Sequence, residues 1–305
     1  MMKCTICKKE AHFRIPRHNV KFCKLHFDEY VLNQVKRAIK HFNMFNKNER
    51  IGVAVSGGKD SIACIDILNR LGYDTVGIHI NLGIVDFSEK SEKIVLKFSK
   101  SKNIPIYTYL MRELFGLSII EIGKPFSQKI CSVCGKLKRY YLSKIAKEIG
   151  VDVIVTGHNL DDVSATLLGN LLFSNVQYLA RQYPVIPAEN NNPKKAKPLV
   201  RLTDQETKLY LELRGIEYVR DTCPLSKGAN SLYYKEALNN LESHFKSIKA
   251  HFYFSYLDKI QPLLENKLES SFGKSSCKIC GEKTSSKTSI CFVCSIKSKL
   301  LKNRG

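Results

Sequence analysis

The chain has little that would take it into or through a membrane. No apolar run approaches the roughly 18 residues of a spanning helix, and there is no basic amphipathic anchor with a strong aromatic face. A secretory signal is missing as well, because Cys4 and Cys7 fall where its basic and apolar regions would stand. These absences point to the cytoplasm and to no membrane partner. Acidic residues are also scarce: aspartate and glutamate number 28 against 49 lysines and arginines, a formal net charge of +21. Solubility needs no such excess, so it implies a polyanionic partner, nucleic acid ahead of a membrane surface; an incidentally basic protein is the plain alternative. With disulfides disfavoured in a reducing compartment, the 11 cysteines should hold metal or do chemistry.

What is present is organised around Ile51 to Ser61, I-G-V-A-V-S-G-G-K-D-S. Ile51, Val53 and Val55, alternating with the small Gly52 and Ala54, suit a buried parallel strand, and Ser61 to Leu71 reads as a helix. Gly57 and Gly58 between them permit positive φ and close backbone approach. Ser56 to Ser61 can therefore aim successive N–H groups at a phosphate where the next helix starts, with Lys59 adding charge. The spacing is neither G-x-x-x-x-G-K-[ST] nor G-x-G-x-x-G. A glycine turn joining strand to helix is the bland reading, and Ser56, Lys59, Asp60 and Ser61 together favour phosphate. S-G-G-K-D-S resembles the PP-loop of ATP pyrophosphatases, which split ATP between the α and β phosphates.

At 305 residues and 44% hydrophobic content the chain can bury a sizeable core. Residues 1–27 are expected to form an N-terminal zinc finger on Cys4, Cys7, Cys23 and His26. Residues 28–50 read as a linker helix, residues 51–268 as the catalytic domain, and residues 269–305 as a C-terminal finger on Cys277, Cys280, Cys291 and Cys294. Within the catalytic domain, strands at 73–80, 104–110 and 151–156 alternate with helices at 88–102 and after Cys131. That alternation predicts an α/β doubly wound parallel sheet with its ligand off the carboxyl ends of the strands. Gly157-His158-Asn159-Leu160-Asp161-Asp162 follows a strand end. Asn159 suits a helix cap, and Asp161 and Asp162 suit either the helix dipole or Mg²⁺ and base duty. Residues 188–198 read as an exposed loop, 203–214 as a helix, 216–219 as a short strand and 230–268 as basic helix.

Both quartets and a buried Cys64 leave Cys131, Cys134 and Cys223 over. This trio is open to three readings: a third zinc completed by a histidine, a redox pair forming a persulfide or disulfide, or three ligands of a four-iron cluster whose fourth iron stays open.

The ordered set of finger, S-G-G-K-D-S, C-S-V-C-G, G-H-N-L-D-D, Cys223-Pro224 and second finger resembles, nearly end to end, the tRNA 2-thiouridine synthetases of the TtuA/NcsA type. One departure is Leu225, where an aromatic stands in some members. The resemblance implies ATP with Mg²⁺ held through Ala54, Ser56, Gly57, Gly58, Lys59, Asp60, Ser61, Ile80, Lys138 and Gly157. It implies a [4Fe-4S] cluster on Cys131, Cys134 and Cys223, two structural Zn²⁺ ions, and catalytic roles for Lys59, Asp60, Lys138, Asp161 and Asp162. Its expected reaction adenylates the uridine C2 oxygen and then transfers sulfur. The donor would be free sulfide or a ubiquitin-like thiocarboxylate protein, and the assembly a homodimer. Asparagine content argues against a hyperthermophile and hence for wobble U34 over U54. The rivals are another adenylating PP-loop ligase and a non-catalytic zinc-ribbon RNA binder.

Overall fold

The computed structural model describes residues 2–189, 192–226, 228–268, 275–284 and 286–302. A short hairpin, β1 (Phe13–Ile15) and β2 (Val20–Phe22), opens the chain and leads into α1 (Lys24–His41). Three-residue strands cannot stand alone. Phe13 therefore stacks on Phe27 of α1 with ring centroids 4.3 Å apart, and Ile15, Phe22 and Phe27 join the main core.

The central unit runs β3 (Ile51–Ala54), α2 (Lys59–Arg70), β4 (Thr75–Asn81), α3 (Phe87–Lys102), β5 (Ile106–Leu110), α4 (Met111–Phe115), α5 (Ile119–Gly123), α6 (Ile130–Glu148), β6 (Val153–Thr156) and α7 (Leu160–Leu172). It continues through α8 (Val176–Ala180), β7 (Val185–Ile186), β8 (Lys194–Ala196), α9 (Asp204–Arg214), α10 (Asn230–His244), α11 (Ile248–Lys259) and α12 (Gln261–Leu268). β9 (Ser275–Ser276), β10 (Lys283–Thr284) and α13 (Phe292–Lys302) close the chain. Among the described residues no helix is long and apolar enough to cross a membrane.

The six-stranded sheet has the order β5-β4-β3-β6-β8-β7, parallel except for β7. Alternation along β3 sets its two faces. Ile51, Val53 and Val55 pack with α1, α2, α3, α7, α9 and α11 in one hydrophobic cluster. The opposite face, built on Val76, Ile78 and Ile154, packs under α4, α5, α6 and the C-terminal metal-binding segment. Gly52 lies on that second face, where an added Cβ would come within 2.9 Å of Val151. The chain runs outward from β3 to β5 and returns to β6 on the other side of β3. The carboxyl ends of β3 and β6 therefore flank the switch point of the sheet, where a ligand crevice is expected.

Several local expectations change. The stretch 188–198 is not simply a loop: residues 194–196 pair with Val153 to Val155 as β8 and extend the sheet, while Asn190 and Asn191 lie outside the described residues. The expected strand at 216–219 reduces to one parallel bridge, Val219 N–H to Gly57 O at 2.9 Å. The helical stretch 230–268 is broken into α10, α11 and α12. Of the glycine pair in the turn, Gly57 alone has positive φ (83°), whereas Gly58 is extended (φ −74°) as the residue capping α2. Cys64 is fully buried in the core, as expected.

Candidate active site

The turn after β3 is tied to the start of α2. Ser56 N–H donates to Ser61 Oγ (3.1 Å), Ser61 Oγ donates to Gly58 O (2.9 Å), and Ser91 Oγ donates to Ser56 O (2.5 Å). A Cβ at Gly57 would lie 2.7 Å from Ser91 Oγ, so glycine is required there on two grounds. Across the switch point, a Cβ at Gly157 would lie 2.7 Å from the carbonyl carbon and oxygen of Asp60. Glycine at 157 thus lets the end of β6 touch the start of α2.

These ends open into a slot of about 610 Å³, roofed by Gly135, Lys138, Arg139, Leu142 and Ser143 of α6 and floored by Ile78, Ile154, Ile186 and Ala196. Its size suits a nucleotide-sized ligand. Of the residues expected to hold ATP, Ala54, Ser56, Asp60, Ser61, Ile80, Lys138 and Gly157 line the slot, while Gly57, Gly58 and Lys59 are not among its lining residues.

Lys59 is engaged elsewhere. Its Nζ donates at 2.6 Å to Asp60 and at 2.6 Å to Asp204. Burial would lower the Lys59 pKa, but the charge of Asp60 and the two hydrogen bonds outweigh it and hold the pKa above the usual value. Burial raises the Asp60 pKa in spite of Lys59. At Asp204 burial works the same way but loses to the Lys59 hydrogen bond, so the pKa falls. Asp60 Oδ1 also accepts from Thr207 Oγ1 (2.6 Å) and Asn159 Nδ2 (3.1 Å). Neither Asp204 nor Thr207 stood out in the sequence.

The two adjacent aspartates separate. Asp162 lines the slot, takes Lys235 Nζ at 2.5 Å, and closes a capping box with Asn159. Asp161 turns away from the slot, because consecutive helical residues point about 100° apart. It is buried, accepts from Lys249 Nζ (2.5 Å) and receives the first amide of α9 at Asp204 (2.8 Å). His158 shares a hydrogen bond of 2.7 Å with Thr156 Oγ1; its ring is exposed to solvent at the slot, and crowding by protein atoms together with the nearby lysines holds its pKa below the usual imidazole value.

The thiol trio sits beside this slot. Cys131 and Cys134 occupy the first turns of α6, about two turns and one turn from Lys138, and Cys131 Sγ–H donates to Leu225 O (2.7 Å) in the turn that carries Cys223. Burial raises the Cys131 pKa, and the charge of Cys223 raises it further. Burial also raises Cys134, opposed by Lys138 and reinforced by Cys223. Among the described residues, the sets close enough for one ion, with ligand atoms within 4.8 Å of one another, are Cys4–Cys7–Cys23–His26 and Cys277–Cys280–Cys291–Cys294. The trio is spaced more widely than that. An all-thiol, widely spaced set fits a multi-iron cluster, whose ligands must span several metal ions, better than a third single-zinc site.

The terminal quartets suit a metal ion. Cys7 Sγ lies 3.8 Å from Cys23 Sγ and Cys280 Sγ 3.7 Å from Cys291 Sγ, matching the edge of about 3.8 Å expected for a tetrahedron of ~2.3 Å metal–sulfur bonds. The C-terminal quartet is clamped to α6: Lys147 pairs with Glu282 at 2.7 Å, and Lys136 Nζ lies 4.2 Å from the Phe292 ring centroid.

Sheet order, glycine turn and slot together are those of a PP-loop protein, and the PP-loop domain family matches residues 31–228. The chain is similar to the tRNA-5-methyluridine(54) 2-sulfurtransferase of Thermotoga maritima, 39% identical across 99% of this chain and 98% of that protein. It is 40% identical to the protein of the same description in Pyrococcus horikoshii, covering 96% and 93% of the two chains. In structure it is similar to the U34-tRNA thiolase NcsA of Methanococcus maripaludis, solved with its [4Fe-4S] cluster. The TM-score is 0.83 at 25% identity, over 98% of this chain and 97% of that one. The chain belongs to the PP-loop family of tRNA 2-thiolation sulfurtransferases.

Proposed function

We propose that the protein is an ATP-dependent tRNA 2-sulfurtransferase that adenylates the C2 oxygen of a uridine and replaces that oxygen with sulfur. The C2 oxygen is a poor leaving group. Its attack on the α-phosphorus of ATP, with loss of pyrophosphate, makes AMP the group expelled when sulfur attacks C2. The amides of Ser56 to Ser61 at the start of α2 receive charge developing on pyrophosphate, a role worth a few kcal/mol per donor. Lys59 joins them by exchanging its carboxylate partners for phosphate oxygens. Asp60 and Asp162 are the slot carboxylates that would hold Mg²⁺, and Lys138 contacts the nucleotide from the roof. Asp161 serves by seating α9 on α11. Cys131, Cys134 and Cys223 would hold a [4Fe-4S] cluster, which when bound supplies an open iron for sulfide. The two terminal quartets would each hold Zn²⁺.

Lys138 is the observation that carries this reading. It lines the nucleotide-sized slot and also stands one helical turn from Cys134, so thiols and slot share one wall. The basic surface supports tRNA as the partner. The relatives at 39% and 40% identity are named for position 54 and the structural relative at 25% for U34. The higher identity favours uridine 54 over the position 34 suggested by composition. Sulfide, free or carried as a thiocarboxylate on a ubiquitin-like protein, is the proposed donor, and a homodimer the proposed assembly.

The test is anaerobic reaction of the iron- and zinc-loaded protein with tRNA, ATP and sulfide, followed by mass spectrometry of position-resolved nucleosides. ATP-dependent 2-thiouridine at position 54 is expected; product at position 34 alone would overturn the choice of target. Cys223→Ala should lose iron and thiolation together while keeping ATP affinity. Full thiolation by that variant would reject the role of the trio.

A further inference from the structure

The slot holds more positive charge than its carboxylates balance, and the surplus gathers at its β8 end. Lys138 and Arg139 descend from α6, while Lys195 and Lys197 rise from β8 and the residue after it. Strand register explains the second pair. Ile186, Lys195 and Ile154 are cross-strand neighbours on β7, β8 and β6, so Lys195 faces α6 as Ile154 does. Lys197, two residues on, faces the same way.

The acids whose charge acts on these lysines are already committed. Asp162, whose charge acts on Lys197, is held by Lys235 at 2.5 Å and by Asn159 N–H at 3.0 Å. Glu282, whose charge acts on Lys195, is held by Lys147 at 2.7 Å and by Asn192 Nδ2 at 3.4 Å. Among the described residues, the charged ends of Arg139, Lys195 and Lys197 have no hydrogen bond or ion pair. Both lysines are half-buried, and burial lowers the pKa of each. Half-buried cations without counter-ions are costly unless a ligand supplies the missing charge.

We propose that Arg139, Lys195 and Lys197 form a second anion subsite in the slot, which takes a phosphoryl group beyond the reach of the Ser56–Ser61 amides. β8 lies two strands from β3, about 10 Å across the sheet, so the subsite is distinct from the glycine turn yet opens into the same space. The phosphoryl group is either part of the ATP polyphosphate or the 5′-phosphate of the acceptor nucleotide. The inference rests on the reading of the slot as a nucleotide site.

Calorimetry on the zinc-loaded protein tests it, with ATP, pyrophosphate, uridine 5′-monophosphate, adenosine and uridine as probes. Lys197→Met should weaken a phosphorylated probe by about 10- to 100-fold, the loss expected for one charge-assisted hydrogen bond. Lys197→Arg should restore it, and adenosine and uridine should bind as before. Loss confined to ATP and pyrophosphate assigns the subsite to the polyphosphate; loss confined to uridine monophosphate assigns it to the acceptor. Unchanged binding of every phosphorylated probe by folded Lys197→Met and Lys195→Met overturns the subsite, as does equal weakening of adenosine. A wild-type protein that binds no ATP overturns the nucleotide reading and the subsite with it.

Discussion

Replacing Arg17, which is not one of the expected catalytic residues, with methionine should destabilise the protein. Arg17 Nε and Nη2 grip both oxygens of Glu206 at 2.9 and 2.8 Å, and Nη2 also reaches Tyr30 Oη (2.8 Å) and Arg201 O (2.7 Å). The two side chains are only 7% and 3% exposed. Burial alone would lower the Arg17 pKa, but the Glu206 carboxylate outweighs it and holds the guanidinium charged. Arg17→Met therefore strands a buried carboxylate that keeps only Tyr30 Oη and Thr203 N–H as donors. Breaking such a pair from one side costs about 3–5 kcal/mol, a fall in Tm on the order of 5–8 °C for a chain of this length. The double variant Arg17→Met/Glu206→Gln removes both charges and keeps an acceptor for Thr203. It should cost at least ~2 kcal/mol less than the sum of the single changes. Urea titration of the zinc-loaded proteins measures this. Additivity within about 0.5 kcal/mol would refute the claim that the pair acts as a buried unit.

Other expectations follow from the same geometry. Gly157→Ala, whose Cβ would meet backbone atoms of Asp60 at 2.7 Å, should destabilise by about 1–3 kcal/mol in thermal unfolding and weaken ATP in calorimetry. Gly58→Ala should be far milder in the free protein, because that Cβ has nothing closer than 3.5 Å and the backbone is already extended. Equal effects would contradict the account of the turn. For pH, Lys197 sits below its ordinary pKa mainly through burial, and an arriving phosphate raises it. Binding should therefore take up a proton between the lowered value and 10.5, and affinity should fall as pH rises through that window. Lys138 and Arg139 from α6, His158 after β6, Asp162 from α7, Lys235 from α10 and Lys195 beside it set the surrounding charge. Calorimetry in buffers of different ionisation enthalpy should show the uptake in wild type and not in Lys197→Met.

What the sequence revealed of this site was what is carried locally. S-G-G-K-D-S is one contiguous turn, and each quartet that could hold a metal is two short pairs, so spacing alone exposes them. The doubly wound sheet was legible because apolar strands alternate with amphipathic helices. β8 was not legible: Lys194, Lys195 and Ala196 have no apolar alternation and stand between Pro193 and Pro198, so only pairing with β6 makes them a strand. With β8 went Lys195 and Lys197. Asp204 and Thr207 reach Lys59 and Asp60 across 145 and 147 residues, and no periodicity reports a contact of that span. The division between Asp161 and Asp162 did have a signal, since adjacent residues on a helix cannot both face one slot.

The two metal-binding ends share a structural logic that their distance in sequence conceals. The N-terminal hairpin delivers Arg17 to Glu206, whose carboxylate also closes the capping box at the start of α9. That same first turn of α9 presents Asp204 and Thr207 to the PP-loop lysine and aspartate. The C-terminal quartet grips α6 through Lys147 and Phe292, and α6 carries both Lys138 and the thiols Cys131 and Cys134. Each Cys-rich segment is thus tied to a helix near the slot, one to α9 beside the glycine turn and one to α6 along the roof. A folded finger fixes the angle of its helix, and an angle held at one end positions side chains two or three turns away. The contacts of the two Cys-rich segments thus brace the slot from two sides, α9 through Glu206 and α6 through Lys147 and Lys136.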